Sequence, residues 1–432
     1  MRHLAVAIMV LALASGTGGT LAAEEPSAVD TFSPTGSLAE SRAGHTATLL
    51  PDGRVLVVGG SGGPSHLRAS AEVWDPATGT FSPTGSLAEP RAGHTASLLP
   101  DDRVLVVGGS DGHNRILGAA EVWDPATGTF GPAGSLLVPR SGHTATLLSD
   151  GRVLVVGGWD GHPSASAELW DPATATFGSA GSLAEKRVAF TASLLPDNRV
   201  LVVGGSGGPN RILGAAELWD PTSGMFDPAG SLDRPRDHHA ASLLPDGRVL
   251  VTGGTTRRER ARSVAELWDP TTGMFDPAGS LREARADHTA TALSDGRVLV
   301  IGGMGDAVGG RGAHTSLSSA EVWDAATASF VAAGSLHEAR VEHTATPLPD
   351  GRVLVVGGVG RVGRRFDDLA SAEVWDPATR TFAPAGSLTQ GRSYHTATPL
   401  PDGRVLVIGG EDSDGALASA EVWNPSAAQD EG

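Results

Sequence analysis

The chain has 432 residues and a formal net charge of −17, and it contains no cysteine. The absence of cysteine excludes disulfides, thiolate metal sites and thiol nucleophiles. The negative charge argues against a nucleic acid or an anionic lipid surface as the partner, because both require basic residues.

The N-terminal segment has the composition of a secretory signal peptide. A short basic start is followed by an apolar run from Leu4 to Ala14 and by small residues that end at Ala23. The run is shorter than the ~20 residues that an uncleaved membrane anchor needs. We therefore expect a signal peptide over residues 1–23, a short linker over 24–30 and a mature protein that is secreted or periplasmic.

The rest of the chain is a series of eight similar units, each of roughly 50 residues. In the first unit a β-prone segment, His45–Leu50, is followed by a Pro-Asp-Gly turn and by the apolar segment Arg54–Val58, which ends at a glycine pair. Ala71–Trp74 is a third predicted strand, and Thr80 opens a fourth. The pattern predicts four antiparallel strands in each unit, which is typical of a propeller blade.

The two ends of this series are predicted to pair. A lone fourth strand, Thr31–Leu38, precedes the first full unit, and the series ends just after a third strand, Ala420–Trp423. Pairing of the two would leave no exposed sheet edge. We therefore predict an all-β fold: one propeller of eight four-stranded blades over residues 31–425, closed by the N-terminal outer strand and followed by a tail over 426–432.

The landmarks of each unit resemble the kelch repeat. They are an Arg-x-x-His sequence, a glycine pair after an apolar strand and two aromatic residues at fixed spacing, which are Trp74 and Phe81 in the first unit. Kelch units usually carry Tyr and then Trp, whereas these carry Trp and then Phe, which also places a large ring between blades. The resemblance covers nearly all of the chain after residue 30 and implies a kelch-type β-propeller.

The last unit also resembles a propeller segment of galactose oxidase, a copper enzyme. The match covers residues 394–405, and it implies that Tyr394 and His395 are copper ligands. That family also requires a cysteine cross-linked to a second tyrosine, whereas this chain has no cysteine and one tyrosine. We therefore predict no metal site and no cofactor, and we attribute the match to shared blade architecture.

Ligand-binding residues are expected on one face of the propeller, because the loops after the second strand of each unit vary and lie on that face. The most divergent loops span residues 257–262, 304–319, 359–371 and 411–414. The position directly before the repeated histidine is small in units 1 to 4 and carries a functional group in units 5 to 8. Two alternatives to a binding role remain. The charged loop residues are solvated without binding a ligand, or the sequence varies by ordinary drift at these exposed positions. The candidate residues are Trp159, Asp160, His162, His238, Arg257, Arg258, Asp287, Glu342, Arg364, Arg365 and Tyr394.

Seven units share a histidine at the start of the first strand, and Phe190 takes the fourth place. A ring of imidazoles suggests a metal site, but a position that Phe can occupy favours packing and hydrogen bonding between blades. We assign the same structural role to the arginine three residues earlier, which recurs from Arg42 to Arg392. The repeated histidines are His45, His94, His143, His239, His288, His343 and His395.

No complete catalytic set is recognisable, so we predict no catalytic residue and favour a non-catalytic binding propeller. Its ligand would be a protein or a surface glycan that the variable loops hold. The alternative is a carbohydrate-active enzyme, similar to sialic acid mutarotases or to a sugar hydrolase or lyase, that uses polar residues such as Asp287 and Glu342. We expect no nucleic acid partner, no membrane-spanning segment and a monomer.

Overall fold

The structure is a computed structural model that describes residues 30–426, except 64–65, 114, 257–259, 307–313 and 363–364. The signal peptide expected over 1–23 lies outside the described residues, as do nearly all of the linker and all but the first residue of the tail. The cleavage and domain bounds therefore stay predictions. No helix in the described part of the chain is long and apolar enough to cross a membrane.

Blades 1 to 4 follow the first strand in chain order, and each is one antiparallel sheet of four strands. The strands are β1 (Thr31–Pro34); β2 (Thr46–Leu49), β3 (Val55–Val58), β4 (Ala71–Asp75) and β5 (Thr80–Pro83) in blade 1; β6 (Thr95–Leu98), β7 (Val104–Val107), β8 (Ala119–Asp124) and β9 (Thr129–Ser135) in blade 2; β10 (Thr144–Leu147), β11 (Val153–Val156), β12 (Ser164–Asp171) and β13 (Thr176–Arg187) in blade 3; and β14 (Thr191–Leu194), β15 (Val200–Val203), β16 (Ala215–Asp220) and β17 (Met225–Ser231) in blade 4.

Blades 5 to 8 repeat this sheet, and blades 6 to 8 each add a two-stranded hairpin. The strands are β18 (Ala240–Leu243), β19 (Val249–Thr252), β20 (Arg262–Asp269) and β21 (Met274–Arg285) in blade 5; β22 (Thr289–Ala292), β23 (Val298–Ile301), β24 (Met304–Asp306), β25 (His314–Ser316), β26 (Ser319–Asp324) and β27 (Ser329–Ser335) in blade 6; β28 (Thr344–Pro347), β29 (Val353–Val356), β30 (Val359–Val362), β31 (Arg365–Asp368), β32 (Ser371–Asp376) and β33 (Thr381–Ser387) in blade 7; and β34 (Thr396–Pro399), β35 (Val405–Ile408), β36 (Glu411–Asp412), β37 (Gly415–Ala416) and β38 (Ala420–Asn424) in blade 8.

The eighth sheet contains strands from both ends of the described chain. Its order is β1-β38-β35-β34, and β1 pairs with β38 so that Phe32 lies opposite Trp423. The first strand of each blade contacts the first strand of the next, and β34 of blade 8 contacts β2 of blade 1, so the eight inner strands surround a central channel. The fold is therefore an all-β propeller of eight four-stranded blades. That the β1–β38 pairing holds the ring together in solution stays a prediction, which is tested below.

The core lies between the blades. The second strand of each blade is fully buried, as in Val55–Val58, and it is apolar throughout except for Thr252 in blade 5. The tryptophan of the third strand reaches the preceding blade: Trp74 of blade 1 packs with Leu406 and Ile408 of blade 8. Burial of a large apolar side chain contributes roughly 1.5–3 kcal/mol, and eight such clusters follow one another around the ring. Each blade thus depends on its neighbours for its core.

The repeated arginine joins each blade to the one before it. Arg42 is fully buried, and its guanidinium donates to Glu72 of its own blade (3.0 Å) and to the carbonyl oxygens of Gly59 and Ser70. Its backbone N–H donates to the carbonyl of Leu417 in blade 8. All eight blades contain this buried Arg–Glu pair. Removal of one partner from such a pair costs about 3–5 kcal/mol, because the other charge stays buried.

The repeated histidines also lie between blades, in the gap that we call a seam. Nε2 of His94 in blade 2 is hydrogen-bonded to the hydroxyl of Thr46 in blade 1 (3.1 Å), and six other seams contain an equivalent His–Thr pair. In the seam between blades 3 and 4, Phe190 replaces histidine, and the buried Thr144 hydroxyl has no partner among the described residues. In blade 5 alanine replaces the usual threonine, and Thr252 supplies the hydroxyl instead (2.9 Å).

Candidate functional site

The variable loops and the connections between blades lie on one face of the ring, and the residue before each repeated histidine lies where the channel opens on that face. We call this opening the mouth. The backbone of this residue is left-handed in all eight blades, with φ of +56° at Gly44 and +50° at His238. Blades 1 to 3 have glycine there, which adopts this conformation without strain. Blade 4 has Ala189, and blades 5 to 8 have the four residues that we call the half-ring, namely His238, Asp287, Glu342 and Tyr394.

The half-ring residues occupy a backbone conformation that is unfavourable for them. A left-handed residue other than glycine costs roughly 1–2 kcal/mol. The first three copies of the same unit show that glycine fits this position. The strain therefore does not serve the fold, and strained residues of this kind cluster at ligand-binding and active sites.

The half-ring side chains are accessible to solvent, yet the surrounding loops bury them enough to shift their pKa values. Burial raises the pKa of Asp287. Burial, and then the negative charge of Asp287, raise the pKa of Glu342. Burial, and then the charges of Glu342 and Glu411, raise the pKa of Tyr394, whose phenol lies within hydrogen-bonding reach of Glu342. The mouth therefore combines two carboxyl groups that protonate more readily than usual with a neutral phenol.

His238 completes the half-ring and is itself held by a buried carboxylate. Its Nδ1 lies 3.3 Å from Oδ1 of Asp237, and this contact, followed by the charges of Asp287 and of Asp237 itself, raises the pKa of His238. Asp237 is only 6 % exposed, and its Oδ1 accepts a further hydrogen bond from the hydroxyl of Thr255. The imidazole is 49 % exposed. One edge of the imidazole therefore faces Asp237, and much of the rest of the side chain is accessible to a ligand.

The hairpins of blades 6 to 8 form a wall on the same side of the ring as the half-ring. β25 of blade 6 contacts β30 of blade 7. The hydroxyl of Ser393, the residue before Tyr394, donates to Asp368 at the end of the blade 7 hairpin (2.7 Å). In blade 8 the amide of Gln390 donates to Asp412 (2.6 Å). The wall is therefore attached to the backbone that carries the half-ring.

Three of the seven exposed large apolar side chains among the described residues are aromatic, and all three lie on the variable-loop face. Trp159 is 44 %, Phe366 62 % and Tyr394 49 % exposed. Phe366 belongs to the blade 7 hairpin, and Tyr394 lies in the neighbouring blade 8. Exposed aromatic side chains are enriched where proteins bind ligands and partners.

The other predicted residues fall into two groups. Trp159, Asp160 and His162 share one tight turn of blade 3, in which Nδ1 of His162 lies 2.8 Å from Asp160. Blade 4 separates this turn from the half-ring. Arg257, Arg258 and Arg364 lie outside the described residues, and Arg365 is described only by the backbone of β31.

Asp237 and Thr255 belong to the site, and Phe366 is an exposed ring on the blade 7 hairpin of the same face; none of the three is among the predicted residues. The signal for Asp237 is present in the sequence, because the seven other copies carry only alanine, serine or valine at that position. The signal for Phe366 is weaker, since only the position of the hairpin shows that its ring is exposed.

The side chains of the seven repeated histidines are buried in the seams and are not exposed at the mouth. Burial lowers the pKa of His45 from 6.5 to about 3, so that its imidazole is neutral at pH 7. Burial lowers the pKa of each of the other six histidines to about 3 as well. His395 is bonded through Nε2 to Thr344 in its seam, whereas its neighbour Tyr394 lies at the mouth. The donors present thus do not fit a copper site of the galactose oxidase kind. No group of three or more metal-binding side chains occurs within the described ranges.

Comparison with known proteins places the repeat in a family. Kelch motifs match residues 41–88, 90–136 and 139–180, which correspond to blades 1, 2 and 3 with their connections. The other five blades have the same strand order and the same buried Arg–Glu pair. The chain is a kelch-repeat β-propeller. No curated protein matches it.

Solved structures resemble this kelch propeller as a fold. One is described as a novel fungal alcohol oxidase of the AA5 family in complex with copper. It is 18 % identical to this chain, the match covers 92 % of this chain and 76 % of the oxidase, and the TM-score is 0.58. At this identity the similarity shows a shared propeller fold.

Proposed function

We propose that this kelch propeller is a binding protein that holds a protein or a surface glycan at the mouth, on the variable-loop face. One observation carries the proposal: four consecutive blades place an imidazole, two carboxyl groups and a phenol on left-handed backbone where glycine would be less strained. The hairpin wall and the exposed aromatic rings on the same face support it. The residues before the first strand have the pattern of a signal peptide, so we place the protein outside the cytoplasm, secreted or periplasmic. We also expect it to be a monomer.

The test uses glycine, the residue that blades 1 to 3 have at the same left-handed position. A variant with Asp287→Gly, Glu342→Gly and Tyr394→Gly copies the sequence of blades 1 to 3 and removes three functional groups while it relieves strain. The matched control is Ala189→Gly, which relieves strain alone. Pull-down from envelope extracts and binding to a glycan array should lose the same ligand in the triple variant and retain it in the control. Identical ligand profiles for the two variants would refute the proposal.

A second function is favoured by one further observation, namely that an imidazole with a raised pKa lies beside two carboxyl groups with raised pKa values. Such neighbours can exchange protons with a bound sugar near neutral pH. The alternative is therefore a carbohydrate-active enzyme of the mutarotase, hydrolase or lyase type. A screen with Asp287→Asn, Glu342→Gln and Tyr394→Phe decides between the two, because only an enzyme loses turnover while its substrate still binds.

A further inference from the structure

Asp237 has no counterpart in the other seven blades. The equivalent residues are Ala43, Ala92, Ser141, Val188, Ala286, Val341 and Ser393. In all eight blades this residue forms a β-bridge with the first loop residue after the glycine pair, and in blade 5 that partner is Thr255. The backbone of the pair is bonded in both directions, with Thr255 N–H donating to Asp237 O at 2.8 Å and Asp237 N–H donating to Thr255 O at 3.3 Å. The fold therefore needs only the backbone at this position.

The side chain of Asp237 makes two contacts that the backbone pairing does not require, one with Thr255 and one with His238. A buried carboxylate is costly unless it is paired. Here the hydroxyl of Thr255 donates to Oδ1 of Asp237, and Nδ1 of His238 lies 3.3 Å from the same oxygen. A carboxylate oxygen 3.3 Å from Nδ1 favours the tautomer with the proton on Nδ1 when the ring is neutral. Nε2 is then left as the atom available to a ligand, and it has no hydrogen-bond partner among the residues that the structure describes.

The surroundings of His238 limit which ligand it can take. The charged groups that act on it are Asp237, Asp287 and Glu342, and the neighbouring His239 is neutral in its seam. The two half-ring carboxylates would repel an anionic ligand. They would not repel a ring with several hydroxyl groups, because hydroxyls donate to carboxylates and accept from an imidazole or a phenol. The exposed rings of Tyr394 and Phe366 offer apolar faces for the C–H side of such a ligand.

We propose that the mouth is a carbohydrate subsite in which Asp237 is a positioning residue that holds His238 with Nε2 towards a sugar hydroxyl. The proposal rests on the binding function above and deepens it by naming the ligand class. It also assigns unequal roles to the blades: blade 5 supplies the oriented imidazole, and blades 6 to 8 supply carboxyl groups and aromatic faces.

The experiment follows the imidazole directly. Nitrogen-15 spectra of the full mature chain are recorded while neutral methyl pyranosides and their oligosaccharides are added, at several pH values from 5.5 to 8.5. In the wild type we expect saturable shifts at Nε2 of His238 and a His238 pKa above 6.5. In Asp237→Asn and in Thr255→Val, affinity should fall by at least about tenfold, the His238 pKa should decrease, and the pH profile of binding should move with it. Ser141→Ala, at the position equivalent to Asp237 in blade 3, is the control and should behave as the wild type.

The possible results separate the two proposals. Sugar binding that is unchanged in affinity and pH profile in both folded variants would overturn the role of Asp237. The absence of any shift at His238 with every sugar would overturn the carbohydrate subsite, even if the pull-down still recovers a protein partner through the mouth. If the pull-down with wild-type protein recovers no partner either, the binding function itself is refuted.

Discussion

Acid should unfold this propeller in a pH range set by its histidines. Each of the seven seam histidines has a pKa of about 3 in the folded chain and the ordinary value of 6.5 once it is exposed. Because the folded pKa is lowered, the unfolded chain binds more protons at acidic pH. The full stability is present above pH 6.5, and it is lost progressively as the pH falls from there towards 3.

The magnitude follows from the number of seams. At pH 5 the protonation of one such histidine in the unfolded chain favours unfolding by roughly 2 kcal/mol relative to pH 8. Seven histidines together amount to about 14 kcal/mol, which is comparable with the whole stability of ~5–15 kcal/mol that is usual for a domain. Carboxylates that are bonded in the folded state act at lower pH, because their ordinary pKa is near 4.

Urea denaturation followed by tryptophan fluorescence between pH 8 and pH 5 measures the effect. We expect most of the free energy of unfolding to disappear over this range. His143→Phe copies the seam that contains Phe190, and it should reduce the pH-dependent loss by roughly 2 kcal/mol. A free energy of unfolding that stays constant within about 2 kcal/mol from pH 8 to pH 5 would refute the assignment of buried neutral imidazoles.

Three further predictions concern the seams, the mouth and the chain ends. Phe190→His should give the Thr144 hydroxyl a partner and add about 1 kcal/mol at pH 8, measured by urea denaturation; a variant less stable than wild type contradicts this. Glu342→Gly and Ala189→Gly should each stabilise by roughly 1 kcal/mol through relief of left-handed strain, and only the former should reduce binding; equal effects on binding would count against the mouth. Deletion of residues 24–38 removes the packing of Phe32 and Leu38, worth roughly 3–6 kcal/mol, so the melting temperature should fall and light scattering should detect association, whereas an unchanged protein would disprove closure by β1.

The sequence predicts the blade because its signals are local and repeated. The apolar run that becomes β3 was predicted as Arg54–Val58 and is observed as Val55–Val58, and the third strand was predicted as Ala71–Trp74 and extends to Asp75. Repetition of one pattern also locates the position before each histidine, where the structure finds the half-ring.

The site itself could be predicted only in part, because it depends on contacts across blades. The buried arginine was expected to join blades, yet its partner Glu72 is 30 residues away in the chain. The strand pairs of the hairpins form in segments with no repeated landmark, so nothing periodic in the sequence indicates them. Asp237 appears in the sequence as one charge next to two histidines, and only its burial and its contact with His238 show its role.

The pairing of β1 with β38 has a consequence for how the protein is made. The two strands are joined by contacts between residues 393 positions apart, as between Asn424 and Thr31. β1 therefore has no partner in the growing chain until β38 has been synthesised. During that interval β1 is unpaired, and the apolar faces of blade 1 and of the newest blade are uncovered, so both can associate with other chains. A chain that stops before β38 lacks both the partner of β1 and the third strand of blade 8.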